Sequence, residues 1–329
     1  MKAVVYIKYG PPEVLQIREV EIPTPKNNEI LIRIYATAVN ATDPIFRKGK
    51  PFISRFATGL LTPKNTIPGD VLAGEIEAVG KEVTLFKKGD QVFGATGGGF
   101  GAHAEYISLP EEGALALKPA NMTYGEAASI CDGALTALPF LRDQGKIQRG
   151  HKVLINGASG AVGSQGVQLA KYFGAEVTGV CSTANLDLVK SLGADSVIDY
   201  TREDFTRTGQ SYDIIFDAVG KSSFSRCKRA LKPNGIYLTT VLSLAIVRHR
   251  LWTSLIGSRK AMIMFTGIRP AKERAEDLRF IKDLAENGKI SAVIEKQYLL
   301  EQIAEAHRHV ETGHKKGNVV VTLDQISKM

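Results

Sequence analysis

At 329 residues the chain exceeds the roughly 250–300 at which a single core stops growing, so two domains are expected. Hydrophobic residues at 44% and charged residues at 23% are ordinary for a globular protein and exclude a disordered chain. The 42 Lys and Arg against 34 Asp and Glu give a net charge of +8, a field that favours anionic partners.

The basic residues are scattered, with clusters only at Arg248-His249-Arg250, Arg259-Lys260 and Lys315-Lys316, so a dinucleotide rather than a nucleic acid is the expected anion. Cys131, Cys181 and Cys227 show no CxxC spacing, which suits a reducing compartment and makes the cytoplasm the expected location. The opening MKAVVYIKY reads as a strand rather than a signal peptide, and no apolar run reaches the roughly 18–20 residues of a membrane span.

In chain order, alternation and turn residues predict strands at 3–7, 15–19, 29–39, 72–79, 91–94 and 104–108, separated by Gly10-Pro11-Pro12, Pro23 to Pro25, Pro68-Gly69 and Lys88-Gly89-Asp90. This is barrel-like patterning, with residues 46–65 as a basic loop or short helix. From about Thr123 the period changes: 124–141 has helical spacing, and strands at 152–156, 176–181, 196–199, 214–217, 236–241 and 262–266 then alternate with helices. Their continuous apolar runs suit a parallel, doubly wound sheet buried on both faces. After Pro270 come helix 271–287, strand 292–298, helix 300–312 and strand 318–323, too few elements for a third domain and so expected to complete the first. His307 and His309, two apart on a helix, are read as surface residues.

The stretch VLINGASGAVGSQGVQLAKYFGAEV runs strand, Gly-rich turn, helix, strand, the context of a dinucleotide site. Gly157, Gly160 and Gly163 fall at GxxGxxG spacing, with Ala158 where a strict GxGxxG has its first Gly. Ser159, Gly160, Ala161, Val162 and Gly163 therefore present the helix N-terminus to a pyrophosphate. The second strand ends Cys181-Ser182-Thr183 without the acid that would take a ribose 2′-hydroxyl. Ser182 and Thr183 hydroxyls are instead placed to donate to a 2′-phosphate, so NADP(H) is favoured over NAD(H), with Lys190 and Arg202 as candidate cations.

These residues, with AVVYIKYGPPEVLQIREVEIPTP, AVNATDPIFRKG, GDVLAGEIEAVGKEV, FKKGDQVFG, GAHAEYISLP, AASICDGALTAL and HKKGNVVVTL, resemble the medium-chain dehydrogenase/reductase superfamily, zinc-lacking quinone oxidoreductase (ζ-crystallin-like) branch, over nearly the whole chain. The resemblance implies an α/β fold: a GroES-like β-barrel catalytic domain, 1–123 with 269–329, clasping a Rossmann domain, 124–268. It also implies reduction of a quinone, an α,β-unsaturated ketone or another reactive carbonyl in the interdomain cleft. Zinc relatives place a Cys in the segment reading Val39-Asn40-Ala41-Thr42-Asp43 and a His where this chain has Asp70. Both have changed, and the four structural-zinc cysteines are missing from 97–110, so no metal is expected.

The same resemblance implies Asn40 as a carbonyl-binding group and Asp43 as an anchor, with a turn-capping role for Asp43 before Pro44 left open; Asp70 is either a pocket wall or a turn residue. Further implied cofactor contacts are Thr136, Tyr200, Ala218, Val219, Gly220, Val241, Leu242, Phe265, Thr266 and Gly267, with Lys316 or Asn318 in place of a lysine many relatives carry. Residues 243–260 are read as a wall of the substrate cleft, with a membrane-surface helix as the rival. The expected partner is a small carbonyl or quinone, and strand 262–266 is the expected pairing edge of a homodimer. Alternatives are a zinc-free NAD(P)-dependent alcohol or aldehyde dehydrogenase, or an NADPH-responsive binding protein with weak turnover.

Overall fold

Alternating Ile, Leu and Val residues build the N-terminal strands, because every second side chain of a strand points to the same face. The computed structural model describes residues 1–98 and 100–323, and these fall into two units: Met1–Asp132 with the described part of Gly267–Met329, and Gly133–Thr266.

In the first unit β1 (Lys2–Val5) pairs antiparallel with β2 (Gln16–Glu19). The long β3 (Glu29–Val39) buries Ile30, Ile32 and Ile34, while Arg33 and Tyr35 are only partly covered. It pairs antiparallel with β4 (Val71–Val79), which continues to β5 (Gln91–Ala95); β6 (Tyr106–Pro110) lies along β3 and β7 (Ala114–Leu117) along β5.

The second unit holds six parallel strands: β8 (Lys152–Asn156), β9 (Glu176–Cys181), β10 (Ser196–Asp199), β11 (Tyr212–Asp217), β12 (Leu231–Thr239) and β13 (Lys260–Ile263). Their order, β10-β9-β8-β11-β12-β13, reverses at β8, which places a topological switch point at its C-terminal end. The core beneath it is Leu154, Val180, Tyr212, Ile215, Phe224 and Tyr237 with their neighbours.

The chain then returns. After helix Ala271–Glu286, β14 (Ile294–Leu299) runs parallel to β15 (Asn318–Thr322), and β15 pairs antiparallel with β3, with Val319 opposite Val39. The last strands thus join the N-terminal sheet.

Several boundaries differ from the sequence expectation. The division between units falls inside helix Tyr124–Pro139, because 127–131 are buried and no exposed linker precedes Gly133. The strand expected at 104–108 is β6, two residues later: Ala104 makes only an isolated bridge to Ala3. The strand expected at 262–266 is β13, ending at Ile263; the apolar run overshoots because Phe265 is exposed and 266–268 is a 3₁₀ turn. Residues 46–65 carry two short helices, Asp43–Lys48 and Arg55–Thr58, and β7 was not anticipated.

Candidate functional site: a dinucleotide cradle and a buried polar set

At the end of β8, Gly157 takes a left-handed φ of +81°, and its N–H and that of Ala158 both donate to Val180 O at 3.0 Å. A Cβ on Gly157 would come within 2.4 Å of Val219, and one on Gly163 within 2.0 Å of the Gly157 carbonyl oxygen, so close packing requires both glycines. Gly160 differs: a Cβ there would meet only Gly157 O, at 3.5 Å. The space in front of Gly160 is open at the start of helix Ala161–Tyr172, whose N-terminus no side chain caps. Free amides, the positive end of the helix dipole and an open Gly suit a pyrophosphate, so the residues present fit a dinucleotide.

Two hydroxyls flank this turn. Asn185 Nδ2 donates to Ser159 Oγ (3.1 Å) and to Ser182 Oγ (3.2 Å), which leaves both O–H groups to donate elsewhere, as an anion requires. Thr183 behaves differently from expectation, because its hydroxyl donates to Asp199, at the end of the neighbouring β10. An acid therefore does reach this corner, from the adjacent strand. Asp199 also accepts from Thr201 N (2.9 Å) and Thr201 Oγ1 (2.7 Å), and Arg202 Nε lies 3.5 Å away. The Thr183 and Thr201 hydroxyls hold its carboxyl below the ordinary range. Tyr200 is exposed beside them, with its N–H on Cys181 O (3.1 Å).

The loop after β11 is organised by Asp217, which is fully buried. It accepts from Asn156 Nδ2, Tyr237 OH, Gly220 N and Ser222 N, each at 2.9 Å, and from Val219 N at 3.3 Å. This carboxylate fixes Ala218, Val219 and Gly220 beside the Gly-rich turn, and Gly220 packs so closely on Val241 that a Cβ would lie 2.5 Å from it. Val241 and Leu242 are exposed past the end of β12, Phe265 past β13, and Thr136 Oγ1 lies 3.4 Å from Thr266 Oγ1. The predicted residues of this unit thus gather largely at the C-terminal ends of its strands.

In the first unit Asn40 and Asp43 are both buried. Asp43 Oδ2 accepts from Asn40 N (2.6 Å), closing the turn that starts helix Asp43–Lys48, which gives Asp43 the turn-capping role. Burial, with Asp70 and Asp132 nearby, pushes its carboxyl up to about 8 against the pull of the Asn40 amide and Arg47. The Asn40 side-chain amide has no hydrogen-bond partner among the described residues. Asp70 is engaged in its own loop, its Oδ1 accepting from Thr96 Oγ1 (2.8 Å) and Gly98 N (3.1 Å).

Asp132 was not a predicted site residue. It has no hydrogen-bond or ion-pair partner among the described residues, and burial, then Asp70, raises it to about 6, opposed by Lys315 and Arg274. Lys315, lowered by burial and facing Asp132 and Glu295, donates to Gly317 O (2.6 Å). It is the lysine turned toward this set; Lys316 bonds Glu295 through its backbone N–H (3.1 Å), and Asn318 is buried with Nδ2 on Val293 O (3.3 Å). Gly267 O faces Arg274 Nη1 at 3.5 Å. Cys131 is fully buried and its thiol is pushed well up, so it is no nucleophile.

The expectation of two surface histidines is corrected. His307 is fully buried, because it lies on the stripe of Ile303, Ala306 and Val310 that faces the core. His309 is partly buried between Tyr298 OH (3.0 Å) and Glu295 (3.0 Å). Among the described residues no three or more His, Cys, Asp or Glu are grouped so that they could hold a metal ion, and Asp70 is hydrogen-bonded within its own loop.

Residues 26–119 match the family described as Alcohol dehydrogenase GroES-like domain, and 192–321 that described as Zinc-binding dehydrogenase. A 2-methylene-furan-3-one reductase of Solanum lycopersicum is 33% identical across 98% of this chain and 79% of its own length. An NADPH-dependent alkenal/one oxidoreductase, chloroplastic, of Arabidopsis thaliana is 32% identical with the same two coverages. The structure of the quinone oxidoreductase from Coxiella burnetii aligns with a TM-score of 0.87 at 27% identity, covering 98% of this chain and 99% of that one. This chain belongs to the quinone oxidoreductase branch of the medium-chain dehydrogenase/reductase superfamily. As such an oxidoreductase it combines a parallel Rossmann-like sheet with a GroES-like domain.

What sequence reasoning missed in this quinone oxidoreductase relative are partners of predicted residues: Asn185, Asp199, Asp217, Asp132 and Lys315. Asp199 and Asp217 carried a local signal, each an acid that ends the apolar run of a predicted strand.

Proposed function

We propose that this chain is an NADPH-dependent, zinc-independent reductase of small conjugated carbonyls, either quinones or α,β-unsaturated ketones and aldehydes. The observation that carries the reading is the open face of Gly160 at an uncapped helix start, beside a sheet switch point. The names of the tomato, Arabidopsis and Coxiella proteins support the substrate class, and the Arabidopsis name the coenzyme.

The bound coenzyme supplies the hydride. The amides of Ala161 to Gly163 hold the pyrophosphate, Ser182 donates to the 2′-phosphate, and Arg202 adds charge. The free Asn40 amide donates to the substrate carbonyl oxygen and favours the charge that develops there. Asp132, beside Lys315, holds the proton that completes the reduction.

The test is NADPH oxidation over a panel of quinones and enones. Rates above buffer with at least one class are expected. No binding of any nicotinamide coenzyme at millimolar concentration would sink the proposal. Asp199 bound to Thr183 favours a second reading, in which NADH is the coenzyme and Asp199 faces the ribose. An Arg202→Ala variant decides between them: on the first reading KM for NADPH rises and KM for NADH does not, and on the second neither changes.

A further inference from the structure

Helix Leu244–Leu255 buries only Ile246 and Thr253. Leu244, Val247, Leu251 and Leu255 recur at three- and four-residue spacing, which places them along one side of the helix, and all four are exposed, Leu244 to 91% and Leu255 to 84%. Trp252, 63% exposed, lies next to that stripe, and Ile256 follows at its end. Exposed apolar side chains this dense on one short helix mark a contact surface rather than ordinary surface scatter.

The charge around the helix identifies the partner. Residues 218–266 contain nine Lys and Arg and no Asp or Glu, more positive charge than the +8 of the whole chain. Arg226 and Lys232 are paired with Asp204 and Asp213. Arg248 and Arg250 on the helix, and Arg259 just beyond it, have no acidic partner among the described residues. Arg248 borders the apolar stripe and Arg250 lies on its other flank, close enough for their aliphatic stems to reach past the leucines.

We propose that this helix docks the protein onto the surface of an anionic phospholipid bilayer, lying in the interface with its leucines and Trp252 toward the acyl chains and its arginines among the headgroups. A leucine stripe with an aromatic residue and flanking arginines, free of acids, matches the chemistry of an interfacial helix. The helix is far too short to span, and among the described residues no helix is long and apolar enough to cross a membrane. A second copy fits less well. A twofold contact through this face would set the same arginines against one another with no acid to answer them. Nucleic acid accounts for the arginines but not for four exposed aliphatic side chains.

Trp252 is the chain's single tryptophan, so its fluorescence reports this helix directly. Full-length protein is titrated with phosphatidylcholine vesicles, with and without phosphatidylserine, and with the same vesicles carrying brominated acyl chains. With phosphatidylserine present, emission shifts to the blue and is quenched by the brominated lipid, and high salt reverses both. Arg248→Glu with Arg250→Glu weakens vesicle binding by on the order of tenfold or more. Leu251→Ser with Leu255→Ser abolishes the shift, while both variants keep the wild-type melting temperature. The proposal is overturned if emission is indifferent to anionic vesicles, or if the charge-reversed variant binds them as tightly as wild type. It is equally overturned if emission is already blue and follows protein concentration, which assigns the face to a second copy, or responds only to an oligonucleotide.

Discussion

A methyl group added at Gly163 lands 2.0 Å from the Gly157 carbonyl oxygen, whereas at Gly160 its only neighbour is that oxygen at 3.5 Å. The two glycines therefore serve different ends, one the packing of helix on turn and the other the approach of a ligand. Gly163→Ala is expected to cost about 1–3 kcal/mol of stability, read by denaturant titration. Gly160→Ala should melt as the wild type does yet bind NADPH on the order of tenfold more weakly by calorimetry; unchanged affinity would remove Gly160 from the coenzyme's path. Asp132 makes a separate prediction. With its carboxyl at about 6 and no partner, its protonated fraction falls as pH rises through that value, so turnover should decline there. Asp132→Asn should lower kcat and flatten the decline without changing NADPH affinity, and a profile still falling near pH 6 would discard the role. The glycines were readable from sequence because their spacing is local; Asp132 was not, because Asp70 and Lys315 come to it from distant segments.

At the scale of elements, helix Ile303–Glu311 shows how much periodicity says and where it was misapplied. Ile303, Ala306 and Val310 mark the inward side, and His307 falls on it at i+4 from Ile303. Both of its ring nitrogens are buried without a hydrogen-bond partner, as is Nδ1 of His103, whose ring centre is 6.0 Å away. An unpaired buried ring loses its hydration without compensation, so His307→Leu, of similar volume, is expected to stabilise the protein by roughly 1–3 kcal/mol. Thermal melts would show it, and a loss instead would mean that the ring holds a ligand or water. The Rossmann strands were the most readable elements: β8 and β9 lie where their apolar runs predict, because a strand buried on both faces has little choice of residue, and the edge strand β10 also falls where predicted although only Ile198 in it is buried. β13 was placed too late because Phe265 extends the apolar run without being buried.

Across the whole molecule, buried ionisable groups pull stability in opposite directions with pH. Burial raises Asp43 from its ordinary 3.8 to about 8, so the native state holds its proton more tightly than the unfolded chain; that contribution is full below about pH 4 and is lost as pH rises through 8. His103 is lowered by burial from 6.5 to about 4 and His307 well below its ordinary value, so their contribution is present above 6.5 and lost as pH falls. Below 6.5 the histidines oppose Asp43 and Asp132; between 6.5 and 8 the histidine contribution is complete and Asp43 pulls stability down. Unfolding free energy should therefore fall by up to about 2 kcal/mol over that interval, at no more than about 1.4 kcal/mol per pH unit. Asp43→Asn, which keeps an oxygen for the Asn40 amide, should level the curve, and an equal slope in the variant would discount Asp43. By itself the sequence determined the succession of strands and helices and the glycines of the dinucleotide turn, since hydrophobic period and backbone freedom are properties of neighbouring residues. Only the tertiary structure decided that Thr183 faces Asp199, that Asp217 gathers five donors, that two buried histidine rings meet and that a leucine-lined helix stays uncovered. Those outcomes depend on which distant surfaces meet and at what register, and neighbouring residues along a chain carry no record of that.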